Sequence, residues 1–164
     1  MNHAIETPIL AALLSAAALF LSPRADCDAR FVGVWEYRQA AGAGFDAEGE
    51  RIELSCRGGA LRGLYFGLER EGEHGLFYTA VEMTNLRVTP DGVLSFTVPE
   101  RELFSERPTS LEDVRQKKVT WAGLTRDELS MRGRLEAGRL VVTCTSTSHS
   151  CPEDVMVFRK GRWN

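Results

Sequence analysis

Residues Arg51 to Leu68 read RIELSCRGGALRGLYFGL, and they decide the fold class. Ile52, Leu54 and Cys56 alternate with polar neighbours, the period of a strand with one face buried. Gly58-Gly59 then separates this run from the apolar stretch Leu61 to Leu68. Both glycines can take positive φ, which a two-residue hairpin turn demands at its two central positions. An antiparallel strand pair is predicted here, and the same rhythm extends in both directions.

Upstream, Phe31 to Arg38 places Phe31, Gly33, Trp35 and Tyr37 on one face. Downstream, Leu76 to Val88 predicts a long strand with Phe77, Thr79, Val81 and Met83 on its buried side. Thr89-Pro90-Asp91-Gly92 is a turn, since proline presets the first turn angle and glycine closes it, and it leads into Val93 to Val98. Strand patterns resume at Val119 to Ala122, Glu128 to Leu135, Arg139 to Thr145 and Asp154 to Lys160. Between them lies PERELFSERPTSLEDVRQKK, Pro99 to Lys118, a charged connection of the length that often forms a lid or a binding surface. Its Leu103 and Phe104 are expected to staple it to the body of the protein. One short helix is predicted at Leu111 to Lys117, with Ser110 as N-cap and Glu112 and Asp113 in the first turn. The reading is an all-β protein: a single antiparallel up-and-down barrel of about eight strands, closed because closure removes exposed edges.

Gly33-Val34-Trp35 in the first strand resembles the Gly-x-Trp signature of lipocalins and their calycin relatives. The resemblance implies a barrel whose floor is closed by Trp35, with Arg159 of the last strand packed against it. Gly33, Trp35 and Arg159 are thus structural expectations. The family's middle loop motif and its C-terminal helix have no counterpart in this sequence.

The chain has 164 residues, 43% hydrophobic and 26% charged, with a formal net charge of -3. Ile9 to Leu21 is apolar except for Ser15 and too short for a helix that spans a bilayer, so residues 1-25 are expected to be a signal peptide and residues 26-164 one β-barrel domain. Periplasmic or secreted localisation follows, with no stable membrane span once the leader is removed. Arg24, Ala25 and Asp26 before Cys27 do not fit a lipoprotein signal. Four cysteines in a short exported chain point to two disulfides, for which three pairings exist. Cys27 with Cys56 and Cys144 with Cys151 are the expected pairs.

Positive charge is dispersed among 23 acids and forms no stripe, which argues against nucleic acid as a partner. Gly42 to Ala47 spells a dinucleotide-like GxGxxA but precedes a β run instead of a helix, so it is read as a loop and no cofactor is expected. The cysteines have no metal-ligand spacing, and no metal site is expected. Glu73 and His74 at one hairpin tip, and His149 among the serines between Cys144 and Cys151, are the weak candidates for ligand binding; no catalytic residue is assigned. Three functions remain open, the first two favoured: an exported non-enzymatic barrel that binds a small apolar or amphipathic ligand; a protein-binding module, such as an inhibitor of a secreted hydrolase or an envelope assembly factor, whose interior is filled by side chains; and an enzyme of unassigned class, for which His74 and His149 are the obvious bases.

Overall fold

The computed structural model of the protein describes residues 27–37, 49–70, 75–146, 151 and 154–161. The proposed leader, Gly42 to Ala47, Glu73, His74 and His149 lie outside these residues.

The Arg51–Arg57 and Ala60–Arg70 strands, β2 and β3, form the predicted hairpin, with Gly58 and Gly59 at φ 61° and 76°. On one side of it lies β1, Gly33–Glu36, and on the other β4, Leu76–Glu82. Chain order then gives β5 at Thr84–Val88, β6 at Leu94–Val98, β7 at Arg101–Phe104, and a helix, α1, at Leu111–Arg115. The last four strands are β8, Trp121–Thr125, β9, Leu129–Glu136, β10, Arg139–Ser146, and β11, Val155–Lys160. All pair antiparallel in one sheet, ordered β5-β6-β9-β10-β11-β1-β2-β3-β4-β7-β8, which curls into a half-barrel.

Two expectations need correction. Among the described residues there are eleven strands instead of about eight, and their order is not a simple up-and-down meander. The predicted strand Leu76 to Val88 divides at Met83, whose N–H donates to Gly63 O while the residues beyond it pair with β6 instead of β3. The charged stretch after Pro99 contains β7, which pairs with β8 to form a hairpin beside β4. Leu103 and Phe104 are buried there. Arg107 donates to Gly49 O at 2.9 Å and Arg51 to Thr109 O at 3.0 Å, so the connection is fastened to β2. Helix α1 has the predicted N-cap: Ser110 Oγ accepts from Asp113 N–H, and the Asp113 carboxylate accepts from Ser110 N–H.

The concave side holds one core. Trp35, Ile52, Tyr65, Phe96, Met131 and Phe158 are among its members, each at most 3% exposed. The disulfides Cys27–Cys56 and Cys144–Cys151 are both present, each with Cα atoms 5.8 Å apart, and the first spans 29 residues. Disulfides of this kind fit an extracellular or periplasmic location. Among the described residues no helix is long and apolar enough to cross a membrane.

The β9–β10 turn carries a local misfit. Ala137 sits at φ 47°, where its Cβ crowds the backbone, followed by Gly138 at φ 76°. Ala137→Gly is expected to raise stability by about 0.5 to 1 kcal/mol in urea denaturation, because the positive-φ penalty outweighs the added chain entropy of glycine. A neutral or destabilising result would show that this turn is not strained.

Candidate functional site

Strand parity brings a polar cluster into the concave side next to the apolar core. Glu50 precedes β2 and shares the inward parity of Ile52 and Leu54. On β3 the inward positions are Tyr65, Gly67 and Glu69, and on β4 Thr79 lies directly opposite Gly67. Arg101 opens β7, and its side chain is wholly buried. Its Nη2 pairs with Glu69 Oε1, and its Nη1 donates to Asp127 O at 2.7 Å.

Gly67 makes the cluster possible. A Cβ there would stand 2.5 Å from Tyr65 Cε1 and 2.9 Å from Glu50 Oε2, so the missing side chain is the space that the phenol ring and the carboxyl occupy. Glu50 Oε1 accepts from Leu68 N–H at 3.2 Å. Among the described residues, Glu50 Oε2, Thr79 Oγ1 and Arg101 Nε make no hydrogen bond, although all are buried. Such atoms are few in folded proteins, and three in one cluster mark it as the most polar part of the interior.

Burial dominates the electrostatics. It pushes Glu50 up to about 7, against the opposing pull of the Tyr65 hydroxyl and the Leu68 N–H. It raises Tyr65 well above its ordinary value, with the neighbouring Glu50 charge adding to the effect. Glu69 is also raised by burial, even with Arg101 beside it. A carboxyl near 7 beside a phenol has the proton affinity of a general acid or base. Glu50, Tyr65, Thr79 and Arg101 are each 3% exposed or less, while the Glu69 side chain keeps 20% exposure. What it can do here is hold one end of the sheet together in a manner that depends on pH.

The sign of that dependence follows from the raised Glu50. The folded state holds the proton up to about pH 7, whereas the unfolded carboxyl releases it near 4.5. The contribution to stability is complete below the lower value and is lost as pH rises through the upper one, a change of about 3 kcal/mol at most. Asp28, Asp91 and Asp113, each held low by hydrogen bonds, act in the opposite sense. Urea denaturation across this window should therefore be compared between the native chain and Glu50→Gln. The difference between the two should change by about 2 to 3 kcal/mol between pH 4.5 and about 8, and parallel pH profiles would show that Glu50 ionises normally.

The structural expectations resolve differently. Trp35 is buried, with Nε1 donating to Phe31 O at 2.7 Å. Arg159 is not its partner: it lies opposite Glu36 and is exposed, while Lys160 lies opposite Trp35 and places Nζ 5.5 Å from the centroid of the indole ring. The correction follows from parity. Met156 and Phe158 are fully buried, so the next inward position on β11 is 160, not 159. Gly33 takes part in this arrangement, because a Cβ on it would meet Lys160 Cε at 3.1 Å. Among the described residues no group of three or more His, Cys, Asp or Glu is placed to hold a metal ion.

Comparisons with protein-family models, with curated proteins and with solved structures found no match to this chain.

Proposed function

We propose that the chain is an exported, non-enzymatic binding module that engages a protein through its outer surface, its interior being occupied by its own side chains. The single observation that carries this reading is the core on the concave side, where Trp35, Tyr65, Phe31, Phe158, Met131 and Met156 are each at most 2% exposed. These side chains take up the space in which a barrel of this size would hold a small apolar ligand. Exposure of Trp121 at 62% and Leu124 at 51% on β8, which among the described residues pairs on one edge only, favours a protein partner, because an open strand edge with an exposed indole offers both backbone pairing and an anchor side chain. A hydrolase inhibitor or an envelope assembly factor has this chemistry.

On this reading the half-barrel is the greater part of a closed, calycin-like barrel. The run from β4 to β5 supports closure, since it bonds to β3 as far as Met83 and to β6 after it. The Gly33–Trp35 pair supports the family likeness, with Lys160 taking the place expected of Arg159. A signal peptide and secretion belong to the same proposal and are supported by the two disulfides.

The test is a pair of titrations. Laurate and 1-anilinonaphthalene-8-sulfonate are added to the folded protein while tryptophan emission is followed, and inhibition of a panel of secreted proteases and glycosidases is measured with the native chain and with Trp121→Ser. Absence of saturable uptake, together with inhibition that Trp121→Ser weakens, is the expected result. Saturable one-to-one uptake that Trp121→Ser leaves unchanged would overturn the proposal in favour of a small-ligand carrier.

A further inference from the structure

The outward face of β5, β6 and β9 carries an arrangement independent of that proposal. Arg87 lies directly opposite Ser95, and Ser95 directly opposite Arg132, so two guanidinium groups flank one hydroxyl across three adjacent strands. The neighbouring row sets Thr84 opposite Thr97 and Thr97 opposite Ser130. Both arginines are exposed on strands separated by β6, and a counter-charge held between them would be attracted by both. None is supplied by an ion pair: among the described residues neither Arg87 nor Arg132 has a salt-bridge partner. Asp91, held below the usual carboxylate range by the Thr89 hydroxyl and more weakly by Arg134 and Arg132, pairs with Arg134 at 3.5 Å.

Three further features turn this row into a site. The edge strand β5 has one residue more than β6 between Thr84 and Arg87, a bulge whose Asn85 stands at φ 52°. Asn85 Nδ2 donates to Thr97 Oγ1 at 3.3 Å, which leaves the second amide hydrogen available. Beside the bulge lies an open hollow of about 260 Å³, whose lining includes the polar residues Asn85, Arg87, Ser95 and Arg132 together with Phe96 and Met131. Ser95 Oγ, in the lining, is buried and makes no hydrogen bond among the described residues. A buried hydroxyl with no partner is costly, and here it lies between two cations with a hollow beside it.

We propose that this hollow binds a tetrahedral oxyanion of the phosphate or sulfate class, as the free ion or as the head of a small ester. Arg87 and Arg132 would neutralise its charge, guanidinium forks being suited to such oxygens, and the Ser95 hydroxyl and the Asn85 amide would donate to the oxygens nearest the floor.

The full chain, with its disulfides intact, is titrated with inorganic phosphate, inorganic sulfate and glycerol 3-phosphate at low ionic strength, and backbone amide shifts are followed by NMR. Saturable shifts centred on Asn85, Arg87, Ser95 and Arg132, with a dissociation constant of about 1 mM or tighter for at least one probe, are expected. Arg132→Gln should weaken binding about tenfold or more, and Ser95→Ala by about three- to tenfold. Arg87→Gln, on the edge strand, provides the same reading if Arg132→Gln fails to fold. Tighter binding of the free ion or of the ester supports the site equally and identifies which form it takes. Shifts distributed over arginines all around the surface, no saturation with any probe, or affinity unchanged by both Ser95→Ala and the arginine variants would overturn the proposal.

Discussion

Trp35→Ala is expected to lower the unfolding free energy by about 3 to 5 kcal/mol, a large part of what holds a domain of this size together. The indole is 2% exposed in the centre of the core, and its removal leaves a cavity that neighbours such as Ile52 and Phe158 cannot fill without leaving their own positions. It also strands the Phe31 carbonyl, which accepts the indole N–H. Chemical denaturation measures the loss, and a cost below about 1.5 kcal/mol would mean that the side chain is not buried as described. The cation above the ring gives a sharper test. A double-mutant cycle of Trp35→Ala with Lys160→Ala should show coupling of about 0.5 to 1 kcal/mol, whereas the cycle with Arg159→Ala should show none within about 0.3. Coupling at Arg159 and not at Lys160 would reverse the register of β11 against β1.

Arg101→Ala should have an effect of similar size, for a different reason. The guanidinium is buried and satisfies both the Glu69 carboxylate and the Asp127 carbonyl. Truncation leaves Glu69 largely buried without its counter-charge, and loss of one member of such a pair typically costs about 3 to 5 kcal/mol. The cost comes mainly from the charge left behind, so removing that charge as well should restore stability. Arg101→Met combined with Glu69→Leu is expected to recover most of the loss, since apolar side chains of similar volume often replace a buried ion pair without penalty. If the double variant is as unstable as Arg101→Ala, the hydrogen bond to Asp127, not the ion pair, supplies the stability.

Elements governed by local chemistry were legible in the residues. The β2–β3 hairpin follows from Gly58-Gly59, the start of α1 from Ser110 and Asp113, and the β5–β6 turn from Thr89 to Gly92, where Gly92 N–H donates to Thr89 O. What escaped depended on distant partners. Nothing near Met83 announces that a continuous strand pattern must leave β3 for β6, because the bend is set by the curl of the sheet. Strand β7 was hidden by its charges, since Arg101 and Glu102 resemble loop residues until Glu69 is known to meet the first of them. One signal for the polar cluster was present all the same. Glu50 has the parity of Ile52 and Leu54, Glu69 that of Tyr65, and Arg101 that of Leu103, and charges on the apolar parity of a strand mark a buried polar site. The same parity, counted from Phe158, selects Lys160 over Arg159.

The pairing of β1 with β11 bears on how the chain must mature. The strand nearest the beginning of the described fold pairs along one of its two edges with the strand nearest the end. During synthesis β1 can join β2 early, but the other edge of β1 stays bare until more than a hundred further residues have been made. Long-range pairings of this kind slow folding and leave a sticky edge exposed meanwhile. A chain built this way gains from being kept unfolded until it is whole, and completing the sheet after passage across a membrane would satisfy that requirement.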